Sequence, residues 1–451
     1  MAKDLTQGSI LKSLLTLSIP LILANLLQTA YNLTDTFWVG RLGKEAVASV
    51  SISFPIIFLV ISLASGLAIA GSILVSQYKG KKDNNRINHT ATQTMLMVLI
   101  VSAVLSFIGY LLTPFIIRLL TQDPTIYHGA VSYLQISFIG FIFVFGYIAF
   151  QSLMRGVGEV KVPMYIILSS VLLNLILDPL FIFGKWFIPS YGVAGAAVAT
   201  LSTQLLAFVI GLYFLFKGNH DIKLDIKKIK PDFRLIKKLT KLGFPTSIEQ
   251  STRALGMTIM VFIVSRFGAT VLAAYGIGAR IISFIIIPSL AISMSTSTLV
   301  GQNIGAKKTE RAEKTVKISL VTGFVVLSLV GILFFIFARP ISSFFIPGDV
   351  ETIKLSTLFL RITSLTFGFI AVQMAINGAF RGSGNTLTSM LLSIISLWVL
   401  RLPIAYILSN YTSLQSTGIW LAFPSANIIS ALIAVVWFAN GSWKRHNKLI
   451  I

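Results

Sequence analysis

Cysteine is absent from this 451-residue chain, and charged residues are scarce. Without cysteine the chain has no disulfide, no thiolate nucleophile and no cysteine metal site. Charged residues make up 12% of the chain, whereas a typical soluble domain has roughly 25%. Because 55% of the residues are hydrophobic, a water-soluble core could not bury this much apolar surface. The composition therefore indicates an integral membrane protein.

Histidine is also rare, and none of the four histidines falls in a long apolar run. A histidine proton relay inside a membrane is therefore excluded, and the histidines and carboxylates show no spacing typical of a metal site. The absence of a phosphate-loop motif argues against an ATP-driven pump. No nucleophile, base or metal set is clustered in the apolar runs, so we expect no catalytic residues and no enzyme. The four residues are His89, His128, His220 and His446.

Long apolar runs dominate the chain, whose mean hydropathy is +0.85. Twelve runs reach about 20 residues, enough for a helix to cross about 30 Å of hydrocarbon. Each is expected to be helical because lipid offers no partner to unpaired backbone groups. The sequence predicts an all-α integral membrane protein with twelve transmembrane helices, at 14–39, 46–78, 93–117, 129–154, 162–184, 192–216, 240–266, 275–302, 314–339, 355–380, 386–410 and 416–441.

The net charge of +22 is distributed unevenly between the predicted loops. Counted together with the adjoining ends of the spans, the ends of the chain and the even-numbered loops hold 26 Lys and Arg residues, and the odd-numbered loops hold 7. Cytoplasmic loops of membrane proteins carry such an excess, so both termini are predicted to be cytoplasmic. Basic charge placed in this way interacts with lipid headgroups, and we expect no nucleic-acid partner.

An internal repeat divides the chain into two halves. Residues 16–80 match residues 241–305 at a constant offset of 225, and later motifs match at 226. Such repeats are common in secondary transporters, whose substrate site lies between or within the halves. We therefore predict two pseudo-symmetric six-helix lobes, 1–222 and 240–451, joined by a cytoplasmic linker at 223–239. Matched pairs include Pro20 and Pro245, Arg41 and Arg266, Gln77 and Gln302, Arg155 and Arg381, and Gly192 and Gly418.

Each half opens with apolar residues at helical spacing, shortly before a proline that is expected to kink the first span, Pro20 or Pro245. Two interpretations fit. The segment is a short amphipathic helix at the inner membrane surface, or it forms the first turns of spans 1 and 7. The apolar positions are Ile10, Leu11, Leu14 and Leu17 in one half and Leu235, Ile236, Leu239 and Leu242 in the other.

Three acidic residues fall inside predicted spans, where an ionised carboxylate is costly and therefore indicates function. Asp35 shares a helical face with Tyr31 and Gln28, and Asp178 lies four residues after Asn174. Neither aspartate has a basic residue close by in its span. Because burial favours the protonated carboxyl, each could bind and release a proton. With Asn174 and a nearby threonine, the two could also form an oxygen cage for Na⁺.

The third acid, Glu249, precedes Arg253 by four residues, the favoured order for an ion pair along a helix. Arg280 and Arg401 are further candidates to reach it. A structural ion pair and a direct role in transport both remain open for Glu249 and Arg253.

The motifs together resemble the multidrug and toxic compound extrusion (MATE) transporters over essentially the whole chain. The resemblance rests on Pro20 to Gly40 of span 1, Gln77 and Gly80, Arg155 to Gly158, Asn174 to Pro179, and Gln302 to Gly305. Asp35 with Asn174 and Asp178 is similar to the DinF-type branch, which couples through the N-terminal lobe. Span 10 lacks the acid of the NorM-type branch, although Glu249 matches an acid of that branch. Monomeric function is the family expectation.

The resemblance implies a cation-coupled multidrug antiporter of a prokaryotic plasma membrane, exporting lipophilic, often cationic compounds with H⁺ or Na⁺ as the coupling ion and no other cofactor. It implies bending of span 1 at Pro20. The N-lobe site would comprise Gln28, Tyr31, Asp35, Asn174, Asp178 and Thr200, with Tyr147 and Gln151 on span 4, and Na⁺ would bind at Asp35, Asn174, Asp178 and Thr200. The alternative is a flippase for lipid-linked or anionic amphiphiles, which would use Arg253, Arg280, Arg361 and Arg401.

Overall fold

The computed structural model describes residues 4–184, 189–225 and 229–445. Within these ranges every regular element is a helix. His446, both ends of the chain and part of the predicted linker at 223–239 lie outside the described residues.

The first seven helices begin and end close to the predicted spans, because long apolar runs leave little choice of element. They are α1 (Ile10–Gly40), α2 (Lys44–Gly80), α3 (Asn84–Leu120), α4 (Pro124–Val157), α5 (Lys161–Phe183), α6 (Val193–Lys217) and α7 (Phe233–Ser265).

The remaining helices include three breaks that the apolar runs do not show. They are α8 (Ala269–Gly305), α9 (Thr309–Ile336), α10 (Ala338–Phe345), α11 (Val350–Ser364), α12 (Phe367–Gly382), α13 (Thr386–Ile394), a π-helix (Ile395–Arg401), α14 (Leu402–Asn410), α15 (Ser416–Ala439) and α16 (Ser442–Arg445).

Among the described residues, ten helical segments are long and apolar enough to cross a membrane. The pair α11 and α12, bent by 51°, becomes an eleventh when counted as one broken span. The predicted span at 240–266 lies in α7, where polar residues such as Glu249 and Arg253 lower the hydropathy. The all-α integral membrane fold is confirmed.

The chain forms two units, and each contains one short segment from the other half. One unit comprises Ile19–Ser247, and the second comprises Asp4–Ser18 and the described residues from Ile248 onward. We call them the N-unit and the C-unit. They differ from the predicted lobes at the start of each half, since α1 enters the N-unit only at Ile19 and α7 stays in the N-unit up to Ser247.

In the N-unit, α4 packs against α2, α3 and α6. Glycines allow these helices to approach closely, as is typical of membrane helices that associate by van der Waals packing. Gly109 of α3 faces the ring of Phe138, and Gly146 of α4 faces the ring of Phe208. A side chain at either glycine would meet the ring. This packing holds α5 and α6 beside one another, which positions the site described below.

Polar contacts attach the linker to the start of α3 in the N-unit. The backbone N–H of Lys223 donates to Asn88 Oδ1 at 2.8 Å, and the N–H of Asp232 donates to Gln93 Oε1 at 3.0 Å. His89 Nε2 lies 2.9 Å from Asp232 Oδ2, and this hydrogen bond helps to hold the pKa of Asp232 below its usual value. The linker is therefore part of the N-unit.

In the C-unit, α12 packs against α8 and α9. A separate aromatic core joins α8, α11 and α15, with Tyr275 stacked on Trp420 at 6.3 Å and Phe359 at 4.5 Å from Trp420. The N-terminal segment also belongs here, because Lys308 Nζ donates to the carbonyl of Thr6 at 3.0 Å.

Candidate functional site

Two carboxyl groups meet inside the N-unit. Asp35 lies near the end of α1, and Asp178 lies in α5 next to Pro179, which interrupts the helical hydrogen bonds there. Asp178 is fully buried, and its carboxyl group is close enough to that of Asp35 for the two to interact electrostatically. Two ionised carboxylates close together repel each other, so a proton or a bound cation would stabilise the pair.

Neutral polar groups hold the two carboxyls in place. Asn174, one turn before Asp178, donates from Nδ2 to Asp178 Oδ1 at 2.9 Å. Thr200 of α6 donates from its hydroxyl to Asp35 Oδ2 at 3.2 Å. The hydroxyl of Tyr31 hydrogen-bonds to the hydroxyl of Thr203, one turn along α6. The site is therefore built from α1, α5 and α6 together.

Three oxygens at this site have no hydrogen-bond partner among the described residues, although each is buried. They are Asp35 Oδ1, Asp178 Oδ2 and Asn174 Oδ1. Unsatisfied buried acceptors are costly, so three of them at one place favour the binding of a proton or a cation. Carboxylate, amide and hydroxyl oxygens are suitable ligands for a hard cation such as Na⁺. The described residues contain no group of three His, Cys, Asp or Glu that could hold a metal, so a transition-metal site is not indicated.

The other predicted N-lobe residues lie elsewhere. Gln28 is exposed on α1. Tyr147 donates from its hydroxyl to the carbonyl of Pro163 at 2.9 Å, near the start of α5 and about 22 Å along that helix from Asp178. Gln151 lies beside Tyr147. The structure thus gathers five of the predicted residues, Tyr31, Asp35, Asn174, Asp178 and Thr200, and leaves these three apart.

Two further residues belong to the site. Thr203, a near neighbour of the predicted Thr200, contacts Tyr31. Tyr133 of α4, which was not predicted, lies near both aspartates and packs against the same apolar cluster as Trp38. Trp38 Nε1 is buried there without a partner among the described residues. No spacing along one helix links Tyr133 to Asp35, because the two residues lie on different helices.

The second membrane acid, Glu249, forms a polar cluster in the C-unit. Its Oε1 accepts from Arg253 Nη2 at 2.8 Å and from the Ser393 hydroxyl at 2.9 Å. Its Oε2 accepts from the Ser389 hydroxyl at 3.0 Å, and Arg381 lies 3.6 Å away. The side chain is 1% exposed. Unlike the aspartates, Glu249 has all of its oxygens paired.

The predicted ion pair between Glu249 and Arg253 is present, but the additional cation is not the expected one. Arg381 fills that position, rather than Arg280 or Arg401. Arg381 follows the predicted span 10, yet it is 6% exposed at the end of α12. Its repeat partner Arg155 is also buried, and the recurrence of this arginine in both halves is the sequence signal that marks it.

Comparison with known proteins identifies the family. A family model described as MatE matches residues 20–180 and 245–407. The probable multidrug resistance protein YoeA of Bacillus subtilis (strain 168) is 30% identical over 444 residues, covering 98% of this chain and 96% of YoeA. The probable multidrug resistance protein NorM of Thermotoga maritima is 27% identical over 438 residues, covering 97% and 94%.

The fold agrees with this assignment. The crystal structure of MATE in the bent conformation matches with a TM-score of 0.91 at 24% identity, covering 99% of this chain and 98% of that one. At this level of identity the match supports the fold only. The family model and the relatives together show that the chain belongs to the MatE family of multidrug and toxic compound extrusion transporters.

Proposed function

We propose that this transporter exports lipophilic, often cationic compounds from the cytoplasm by antiport with H⁺ or Na⁺. The names of its relatives support multidrug export. Two carboxylates in an otherwise apolar half favour a lipophilic cation over a polar anion as the exported compound. The distribution of basic residues supports cytoplasmic termini in a prokaryotic plasma membrane.

The observation that carries the proposal is the set of unpaired buried oxygens at Asp35, Asn174 and Asp178. A proton or Na⁺ bound between the carboxyls removes their repulsion and satisfies these acceptors. When the ion leaves, the carboxylates regain negative charge and can attract a cationic compound. Ion and compound therefore bind in alternation, which is the requirement for antiport.

Binding or release of the ion at the carboxyls acts directly on α1, since Asp35 is part of that helix. Pro20 has no N–H to donate to the carbonyl of Thr16, so α1 is weakened there. Binding of the ion rearranges the hydrogen bonds of Asp35 with Thr200 and its neighbours. We expect α1 to respond by bending at Pro20, and a few kcal/mol of differential binding are sufficient for such a shift.

The proposal is tested by efflux from proteoliposomes that contain the purified protein. A fluorescent lipophilic cation is followed while a pH gradient and a Na⁺ gradient are imposed separately. One gradient should drive transport in the wild type. Asp35→Asn and Asp178→Asn keep the shape of the side chain and remove its charge, so each should slow gradient-driven efflux by about tenfold or more.

Glu45→Gln is the matched control, because Glu45 is partly exposed and its only described ion pair is with Lys44 at 3.8 Å. It should transport at the wild-type rate. Full gradient-driven efflux by both aspartate variants would contradict the proposal.

A further inference from the structure

Four exposed cations form a stripe on the first turns of α7. They follow one another at helical spacing, so their side chains lie on one face of the helix. We call them the basic stripe, which consists of Arg234, Lys237, Lys238 and Lys241. Among the described residues, none of these four side chains has an ion pair, because Asp232, the nearest acid along the chain, is paired with His89.

The spacing of the stripe is unfavourable for the helix itself. Its members are separated by one, three, four or seven residues, and like charges three or four residues apart destabilise a helix. The repulsion is relieved when an anionic surface faces the stripe. The stripe is therefore a concentrated positive surface that favours an anionic partner.

The helix that carries the stripe is held firmly in the N-unit. Its opposite face buries Leu235, Leu239 and Leu242. Just before the helix, Asp232 Oδ1 accepts from the backbone N–H groups of Arg234 at 3.0 Å and Leu235 at 3.1 Å. The four cations are thus presented on a fixed backbone, and a partner can bind them without the cost of ordering a loop.

The internal repeat shows that the fold itself does not require the stripe. At the offset of 225, its four positions correspond to one cation and three neutral residues at the start of the first half, Ser9, Lys12, Ser13 and Thr16. Ser13 is buried in the C-unit, whereas Lys238 is exposed. Because orientation in the membrane depends on the total excess of Lys and Arg in the loops, it does not explain this concentration on one helix. The stripe therefore indicates a contact made by the N-unit.

The length of α7 places the stripe at the membrane surface. The helix has 33 residues and is about 50 Å long, whereas about 20 residues cross the hydrocarbon. Twenty residues counted back from Ser265 therefore leave Lys241 and the rest of the stripe in the headgroup region. Phe233 and Phe244, which are 79% and 63% exposed, lie beside the stripe. Basic and aromatic side chains combine in this way on helices at the boundary between headgroups and acyl chains.

We propose that the basic stripe is a docking surface for the phosphate groups of anionic phospholipids such as phosphatidylglycerol, on the side of the membrane where the linker lies. Guanidinium and ammonium groups form strong charged hydrogen bonds with phosphate. Bound lipid then anchors the start of α7, and with it the linker, to the membrane surface. This inference goes beyond the proposed export function and does not depend on the compound or the coupling ion.

The absence of cysteine permits a direct test, because a single introduced cysteine can be labelled selectively with a fluorophore. Thr240→Cys places the label at an exposed position beside the stripe, and Leu15→Cys places it at the matching exposed position of the first half. The labelled full-length protein is reconstituted in bilayers of phosphatidylcholine and phosphatidylglycerol. One lipid or the other carries a nitroxide near its headgroup. The ratio of quenching by the two lipids measures the enrichment of phosphatidylglycerol at the label.

Phosphatidylglycerol should be enriched about fivefold or more at the Thr240→Cys label, since one cation close to an anionic surface contributes about that factor. The enrichment at the Leu15→Cys label should be clearly smaller. Raising the salt concentration from 0.1 M to 1 M shortens the screening length from about 10 Å to about 3 Å and should lower the enrichment.

Two variants of the stripe separate charge from packing. The neutral variant should lose the enrichment, and it combines Arg234→Gln, Lys237→Gln, Lys238→Gln and Lys241→Gln. The charge-preserving variant should keep the enrichment, and it combines Arg234→Lys, Lys237→Arg, Lys238→Arg and Lys241→Arg. If the neutral variant does not fold, the salt dependence and the contrast between the two labels decide the question.

Equal quenching by the two lipids at the Thr240→Cys label would overturn the docking surface. Enrichment that persists in the folded neutral variant would also overturn it. Loss of the enrichment on addition of millimolar inorganic phosphate, at constant ionic strength, would show that the stripe binds a free phosphate rather than a lipid headgroup. None of these measurements involves transport, so their outcome is independent of the export proposal.

Discussion

The three acids inside the predicted spans show how their surroundings decide what a carboxyl group can do. Asp35 and Asp178 share neutral partners and keep buried oxygens unpaired. Glu249 instead has two arginines and two serine hydroxyls around it. Because these partners already stabilise the ionised carboxylate, binding of a proton or a further cation to it is unfavourable. We therefore infer that Glu249 acts mainly as a structural ion pair.

Replacing Glu249 should destabilise the C-unit strongly. In Glu249→Gln, Arg253 and Arg381 lose their shared counterion while remaining buried, and breaking a buried pair in this way costs about 3–5 kcal/mol. The expected result is a clear fall in the thermal unfolding temperature in detergent, with Glu45→Gln unchanged. The opposite pattern, normal stability with loss of gradient-driven efflux, would make Glu249 a second coupling residue.

How much of the site could be predicted depends on whether its residues share a helix. Asn174 and Asp178 are one turn apart, so the sequence alone places them on one face. Arg381 reaches Glu249 from another helix, and this contact depends on the register between helices. The same limit explains why Tyr147 and Gln151 were predicted at the site but lie apart from it. Both belong to α4 of the same unit, but Tyr147 contacts α5 far along that helix from Asp178.

At the scale of elements, apolar length predicted the helices well and their breaks poorly. The short helix α10 begins at Ala338, two residues before Pro340, whereas α3 continues through Pro114, the repeat counterpart of Pro340 at an offset of 226. The break between α11 and α12 and the π-helix after α13 contain no proline. Packing against neighbouring helices sets such breaks. A proline at matching positions of the two halves can therefore lie near a helix break in one half and inside a continuous helix in the other.

Packing of α12 on α8 depends on a glycine that has no room for a side chain. A Cβ at Gly378 would collide with the backbone of Ser293. Gly378→Ala should therefore force the helices apart and cost about 1–3 kcal/mol. Gly276 in α8 has open space, so Gly276→Ala should stabilise by roughly 0.5–1 kcal/mol through helix propensity. Thermal unfolding of the two variants should give shifts of opposite sign, and equal shifts would contradict this packing.

At the scale of the whole molecule, the repeat predicts two similar halves but not the exchange of their first segments. The spacing between matching residues of the two halves is a property of the sequence. It is the same whether Asp4–Ser18 packs with its own half or with the other half. The structure assigns Asp4–Ser18 to the C-unit through contacts such as Arg311 with the carbonyls of Gln7 and Gly8, both at 2.9 Å. Ser18 and Ser295 also hydrogen-bond at 2.9 Å. The amphipathic starts of the halves are therefore integral parts of α1 and α7, with Leu14, Leu17, Leu235 and Leu239 buried.

This exchange predicts that the chain can be divided and reassembled. If it is cut between Lys227 and Lys228, fragment 1–227 keeps the segment Asp4–Ser18 that the C-unit requires, and fragment 228–451 keeps Asp232 and the start of α7 that the N-unit requires. Coexpressed fragments should therefore copurify through a tag on either one and restore gradient-driven efflux in proteoliposomes. Fragment 19–227 lacks the contacts of Thr6, Gln7 and Gly8 with α9, so it should capture its partner much less well. Equal capture by the long and short fragments would show that the exchanged N-terminal segment contributes little to assembly.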